Sequence, residues 1–174
     1  MEEKIKKHHD RPDLVGEHTF GDTGQLILLI FFLIIWISDS FILNASNFWS
    51  SYIPLYIRII ISSIILITGF IVARKGLRIV FGEQREKPEL IRKGIFNKVR
   101  HPIYLGAILF YLGLFFLSIS LIALLVISIT FVFYYYISRY EEKILVEEFG
   151  ESYIKYKKEV PMFFPRIYRR SKSI

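Results

Sequence analysis

The chain has 174 residues, 53% of them hydrophobic, a mean hydropathy of +0.40 and a formal net charge of +7. A soluble domain of this size carries more polar residues, so the composition points to a membrane protein. There is no cysteine, which excludes disulfides, thiolate metal sites and a cysteine nucleophile.

Residues 1–23 carry 4 Lys/Arg and 6 Asp/Glu, and no cleavage-like small-residue site follows the first apolar run, so no signal peptide is expected. The stretch GDTGQ at 21–25 reads as a loop, with Asp22 or Thr23 available to cap the first span. That span covers 24–43 and holds one charge, Asp39; the second covers 52–73 and also holds one, Arg58. A span needs about 20 apolar residues, so each run is one crossing. Both charges fall near the ends of their spans, where an interfacial pair or snorkelling is the plainer reading and a functional role the other.

Residues 74–100 carry 9 Lys/Arg against 3 Asp/Glu and contain Gly76, Gly82, Pro88 and Gly94. The glycines and proline break the segment too often for one long helix, and an extended strap beneath the membrane is expected. Residues 102–138 form a run of 37 without a charge. As one helix it would be about 55 Å long, too much for a core of about 30 Å, so two helices in a hairpin are expected, turning near 117–120. The next segment, 139–160, reads as a helix with Ile144, Leu145, Phe149, Tyr153, Tyr156 and Val160 at three- and four-residue steps, bent at Gly150. Pro161 and Pro165 then force an extended tail.

Nearly all charge lies in 1–23, 74–100 and 139–174, whereas the connections 44–51 and 117–120 have none. The positive-inside rule then puts both termini and 74–100 in the cytoplasm. The expected fold is an all-α integral membrane protein with about four transmembrane helices. The last two form the hairpin, followed by a cytosolic C-terminal helix and extended tail. Its expected division is a cytosolic segment 1–23, two spans in 24–73 and a core of 74–174. Basic residues that hug span ends meet membrane lipids, through anionic headgroups, and argue against a nucleic-acid partner.

Three places could carry chemistry. In RHPIY, Pro102 suits the first turn of a helix, which sets Arg100 and His101 beside its N-terminus and Tyr104 just inside. Backbone N–H groups and the positive dipole end collect there and favour a carboxylate or another polar acceptor. An interfacial anchor of Arg, His and Tyr is the competing reading. Glu141 and Glu142 stand where the hairpin ends, and a hairpin returns them to the membrane face of residues 99–104. Neighbouring carboxylates diverge on a helix, so at most one is expected to face a site; a salt-bridged surface is the alternative. The aromatic run 131–140 reads mostly as an interfacial belt and hairpin packing, with a minority able to face a ring or a sulfonium. No metal is expected: His8, His9, His18 and His101 lack ligand spacing.

GIFNKVRHPIYLG at 94–106, followed by a hairpin and EEKILVEEFGESYIKYKKEVPMFFP at 141–165, resembles the isoprenylcysteine carboxyl methyltransferases and the related phospholipid N-methyltransferases. The matching positions are Gly94, Arg100, His101, Pro102, Tyr104, Gly106, Glu141, Glu142, Leu145, Phe149, Gly150, Tyr153, Tyr156 and Pro165, spread over about residues 88–165. The resemblance implies S-adenosylmethionine as methyl donor, giving S-adenosylhomocysteine. The donor would sit in a cytosolic pocket capped by the C-terminal segment, and the acceptor would be a lipid or apolar small molecule. It further implies Pro88, Glu89, Leu90, Ile91, Phe96, His101, Pro102, Ile103, Tyr104 and Glu141 as donor-binding residues. The prenylcysteine enzymes bind the acceptor through an arginine four residues before that glutamate. Here the position is Ile137 and the nearest arginine is Arg139, which argues for a different acceptor; Arg100 and Arg139 are the candidates for a catalytic role. Two other readings compete. One is a membrane reductase of related fold using a nicotinamide cofactor, which this short chain disfavours. The other is a non-enzymatic membrane ligand-binding protein.

Overall fold

The computed structural model describes residues 21–82 and 87–165. The charged N-terminal stretch before 21 and the tail beyond 165 lie outside the described residues. The described residues form five α-helices: α1 (Gly21–Ile37), α2 (Leu55–Phe81), α3 (Pro102–Ser118), α4 (Leu121–Phe149) and α5 (Glu151–Glu159). Among the described residues there is no strand. The spans ending α1, α2 and α4 are long and apolar enough to cross a membrane, and α3 is a shorter apolar helix. The protein is an all-α membrane protein.

Helix α1 ends in a π-helical turn, Ser38–Leu43, so the first apolar run is helical throughout. GDTGQ is not a loop: residues 21–25 already belong to α1. Helix α2 does not stop where the apolar run does, at Ala73, but continues to Phe81. Gly76 fails to break it because it serves packing. A Cβ there would lie 2.9 Å from Ile103 Cγ1 and 3.1 Å from Pro102 Cγ. The same close approach recurs along the α2–α3 seam. A Cβ on Gly106 would meet Ala73 Cβ at 2.6 Å, and Ser62 Oγ donates to Gly113 O at 2.8 Å. Small residues at seven-residue steps (Ser62, Gly69 and Gly76) let the two backbones touch, as is usual where lipid gives no hydrophobic drive to associate. The described part of the expected strap is short: 87–93 carries no helix or strand and leads into a 3-10 turn at Gly94–Asn97.

The hairpin turns where its length required. α3 ends at Ser118, Ile119 takes a left-handed conformation (φ 55°), and Ser120 caps α4 by accepting from Ala123 N–H at 3.0 Å. The core lies between α1, α3 and α4, around Phe32, Trp36, Ile108, Tyr111, Val126 and Tyr134. Of the aromatic run, Tyr134 is buried while Tyr135, Tyr136 and Tyr140 are exposed, as a belt requires.

Asp39 and Arg58 do not pair. Asp39 is buried and accepts four hydrogen bonds: from Ala45 N–H and Ser46 N–H at 3.1 and 3.0 Å, and from the Ser46 and Ser120 hydroxyls, each at 2.5 Å. Arg58 instead donates to Leu117 O at 2.8 Å. Both side chains therefore staple the turn end of the bundle.

Candidate active site

The other end of the hairpin gathers the ionisable groups. A proline pushes its preceding residue out of the helical region. His101 accordingly sits at φ −121°, ψ 67°, and α3 begins at Pro102. The His101 ring makes no cap bond and turns toward α4. There it lies between two carboxylates. Nδ1 is 3.4 Å from Glu141 Oε2, and Nε2 is 3.4 Å from Glu142 Oε1. The expectation that only one of the pair reaches the site is thus corrected. Adjacent side chains diverge on α4, but an imidazole carries its two nitrogens on opposite edges and reaches both.

The two carboxylates are in different states. Glu142 is fully buried and surrounded by cations. Arg100 bonds it through Nη2 at 2.6 Å and Nε at 2.8 Å, and Lys157 Nζ sits 2.8 Å from its other oxygen. Glu141 keeps 15% of its side chain exposed; Tyr104 donates its hydroxyl to it, and His101 is its other polar neighbour. The Tyr104 ring stacks on His101 with centroids 5.7 Å apart and also meets Tyr134 at 5.2 Å. Burial alone would lower the His101 pKa, but hydrogen bonds and charge from Glu141 and Glu142 outweigh it and raise the pKa.

The C-terminal segment closes over this cluster. Gly150 (φ 53°, ψ −131°) separates α4 from α5 in a conformation open to glycine, and α5 folds back so that Tyr153, Tyr156 and Val160 pack on Leu90, Leu145 and Phe149. The chain then runs alongside the helix start. Arg100 N–H donates to Pro161 O at 2.9 Å, and His101 N–H to Met162 O at 3.1 Å. Arg100 Nη1 donates to Lys157 O and Val160 O, and Phe163 sits 6.1 Å from the His101 ring. The backbone donors of Arg100 and His101 are therefore engaged by the tail.

His101, Tyr104 and Glu141 come together in one cluster. Pro102 and Ile103 are at the same helix start but also pack on α2 at Gly76. Phe96 accepts the Tyr156 hydroxyl on its carbonyl at 2.7 Å, and Leu90 packs beneath α5. Pro88 and Ile91 are half-buried and Glu89 is exposed. Arg139 is exposed, and Arg100, with 7% of its side chain accessible, is spent on Glu142 and two carbonyls. Sequence reasoning passed over Lys157 and Phe163 as parts of this region, whereas Tyr134, which meets the Tyr104 ring, belongs to the aromatic run 131–140 already singled out. Lys157 had a signal, since it stands on α5 one turn from Tyr153, whose helix the bend at Gly150 turns back.

A model of the family described as phospholipid methyltransferase matches residues 56–152, more than half of the chain. The chain belongs to the phospholipid methyltransferase family. The match begins inside α2, so the family pattern takes in the α2–α3 seam as well as the hairpin and its following glutamates. No curated protein and no solved structure matches the chain significantly. Among the described residues there is no group of three or more His, Asp or Glu able to hold a metal ion.

Proposed function

We propose that this protein transfers a methyl group from S-adenosylmethionine to a membrane-embedded acceptor, at the mouth formed by His101, Tyr104 and Glu141. The observation that carries the reading is the contrast between the two glutamates. Glu142 is fully buried and ion-paired with Arg100 and Lys157, with His101 at 3.4 Å. Glu141 keeps 15% of its side chain exposed, and its polar neighbours among the described residues are the Tyr104 hydroxyl and one imidazole edge. A carboxylate with unused lone pairs suits an ammonium group, and the stacked rings of His101 and Tyr104 offer a face to a planar base or a sulfonium. When bound, the donor supplies an activated methyl for in-line displacement. The chain's part is to orient, to hold charge and to exclude water. Glu141 orients the bound molecule through its carboxylate, and the Pro161–Phe163 tail excludes water from the His101 side.

The cations near the site bear on the acceptor. Arg100 is committed to Glu142 and to backbone carbonyls, position 137 is a buried isoleucine, and Arg139 is exposed. None of these suits an acceptor carboxylate, so an amine-bearing or uncharged lipid is the better fit. We place the site end, both termini and residues 74–100 on the cytoplasmic face by the positive-inside rule. The donor would then arrive from the cytosol and the acceptor from the bilayer. The test is to incubate the purified protein with radiolabelled donor and a total membrane lipid extract. Label that enters lipid and stays non-volatile after mild base fits an amine acceptor, whereas a methyl ester releases it as volatile methanol. No lipid label at all contradicts the reading.

A further inference from the structure

Helix α4 places Tyr134, Ser138 and Glu142 at four-residue steps, which stacks them on one face. The residues above and below Ser138 both meet the start of α3. Tyr134 meets the Tyr104 ring at 5.2 Å, and Glu142 meets His101 Nε2 at 3.4 Å. Ser138 itself is fully buried, yet its hydroxyl has no hydrogen-bond partner among the described residues. That is unusual for a hydroxyl in an apolar helix, where the i−4 carbonyl is always within reach. The same helix shows the ordinary behaviour: Ser128 donates to Leu124 O at 2.9 Å and Thr130 to Val126 O at 2.8 Å. Leaving a buried hydroxyl unpartnered costs stability, and such groups call for a reason.

We infer that the Ser138 hydroxyl is a binding contact for the polar end of the lipid acceptor, unpartnered in the free protein because the acceptor supplies its partner. This rests on the methyl-transfer reading above. Ser138 lies one helical turn from Glu142, on the side toward the middle of the apolar run of α4. That is the side from which a molecule dissolved in the bilayer reaches the mouth, whereas the accessible Glu141 lies on the water side. A hydroxyl can donate or accept, so it serves an amine or an uncharged oxygen alike. It holds the acceptor's head and performs no proton transfer.

The test compares wild type with Ser138→Ala, using Ser128→Ala as the control for a back-bonded hydroxyl on the same helix. Mixed micelles of a total membrane phospholipid extract are the varied substrate, and labelled S-adenosylmethionine is the donor. S138A is expected to raise the KM for lipid about three- to tenfold, the range of one neutral hydrogen bond. Donor affinity and kcat should hold, and the melting temperature should stay level or rise, because the variant removes an unsatisfied group. S128A should leave the KM alone. An unchanged KM in S138A, a weakened donor affinity, or a lowered melting temperature with normal KM would each overturn the assignment of Ser138. A wild-type protein that binds no S-adenosylhomocysteine and labels no lipid would overturn the methyl-transfer reading and this inference together.

Discussion

The hairpin of α3 and α4 has a buried carboxylate at each end, and the two are built differently. At the turn end, Asp39 accepts from two hydroxyls and two backbone N–H groups, all neutral, supplied by Ala45 and Ser46 after the first span and by Ser120 at the hairpin turn. At the site end, Glu142 is held by Arg100 and one edge of His101 at the start of α3 and by Lys157 from α5. Asp39 joins the end of the first span to the cap of α4 through neutral donors alone. Glu142 ties the start of α3, the end of α4 and the C-terminal helix into one unit, and it spends the local cations so that Glu141, one residue earlier, is left with capacity to bind. The adjacent acidic residues thus differ in burial and company: Glu142 is fully buried among cations, whereas Glu141 keeps 15% of its side chain exposed beside Tyr104.

If this contrast is right, Glu142→Ala should do the most damage. It leaves Arg100 and Lys157 facing a buried void, and loss of one partner from a buried charge cluster costs about 3–5 kcal/mol. Thermal unfolding in detergent should show it, with donor binding lost at the same time. Asp39→Ala should cost less, about 1–3 kcal/mol, because only neutral donors are orphaned. Donor affinity should be unaffected at that distance, and a D39A protein that melts early yet binds normally would sharpen the division between the two ends.

The architecture was legible because it follows from length and charge. A run of 37 uncharged residues cannot be one crossing, and the turn falls at Ile119–Ser120, inside the expected window. Gly150 was legible as a break because its backbone conformation suits glycine. The misreadings came from tertiary contacts. Gly76 looks like a helix breaker in sequence, but it is a contact point for Pro102 and Ile103, which no local pattern reveals. Asp39 and Arg58 read in sequence as an interfacial pair or as snorkelling charges because both fall near the ends of their spans. Their partners, Ser46, Ser120 and the Leu117 carbonyl, are uncharged groups brought in by the turn. Glu142 was weighed as a surface residue because the adjacency argument ignored that an imidazole has two edges.

Two smaller effects probe the site end further. Tyr104→Phe removes the hydroxyl that Glu141 accepts and keeps the stack on His101. Donor affinity should change by no more than about tenfold, the worth of one hydrogen bond to a charged group that gains a water in exchange. Calorimetric titration measures it. The smallest effect is in pH. The pKa of His101 is raised in the folded protein, so the stability it contributes is complete below the ordinary imidazole value of 6.5 and fades as pH rises through the folded pKa. The melting temperature should therefore fall over the range above pH 6.5, and His101→Gln should flatten that part of the profile. A matching slope in the variant would place the titrating group elsewhere.

The most direct measurement is calorimetric titration of S-adenosylhomocysteine into detergent-solubilised wild-type protein and into Glu141→Ala. A micromolar dissociation constant is expected for wild type, together with a loss of about tenfold or more in the variant, the scale of one charge-assisted contact. Equal binding by the two proteins, or no binding by wild type, would contradict the assignment of Glu141 as the carboxylate that holds the donor.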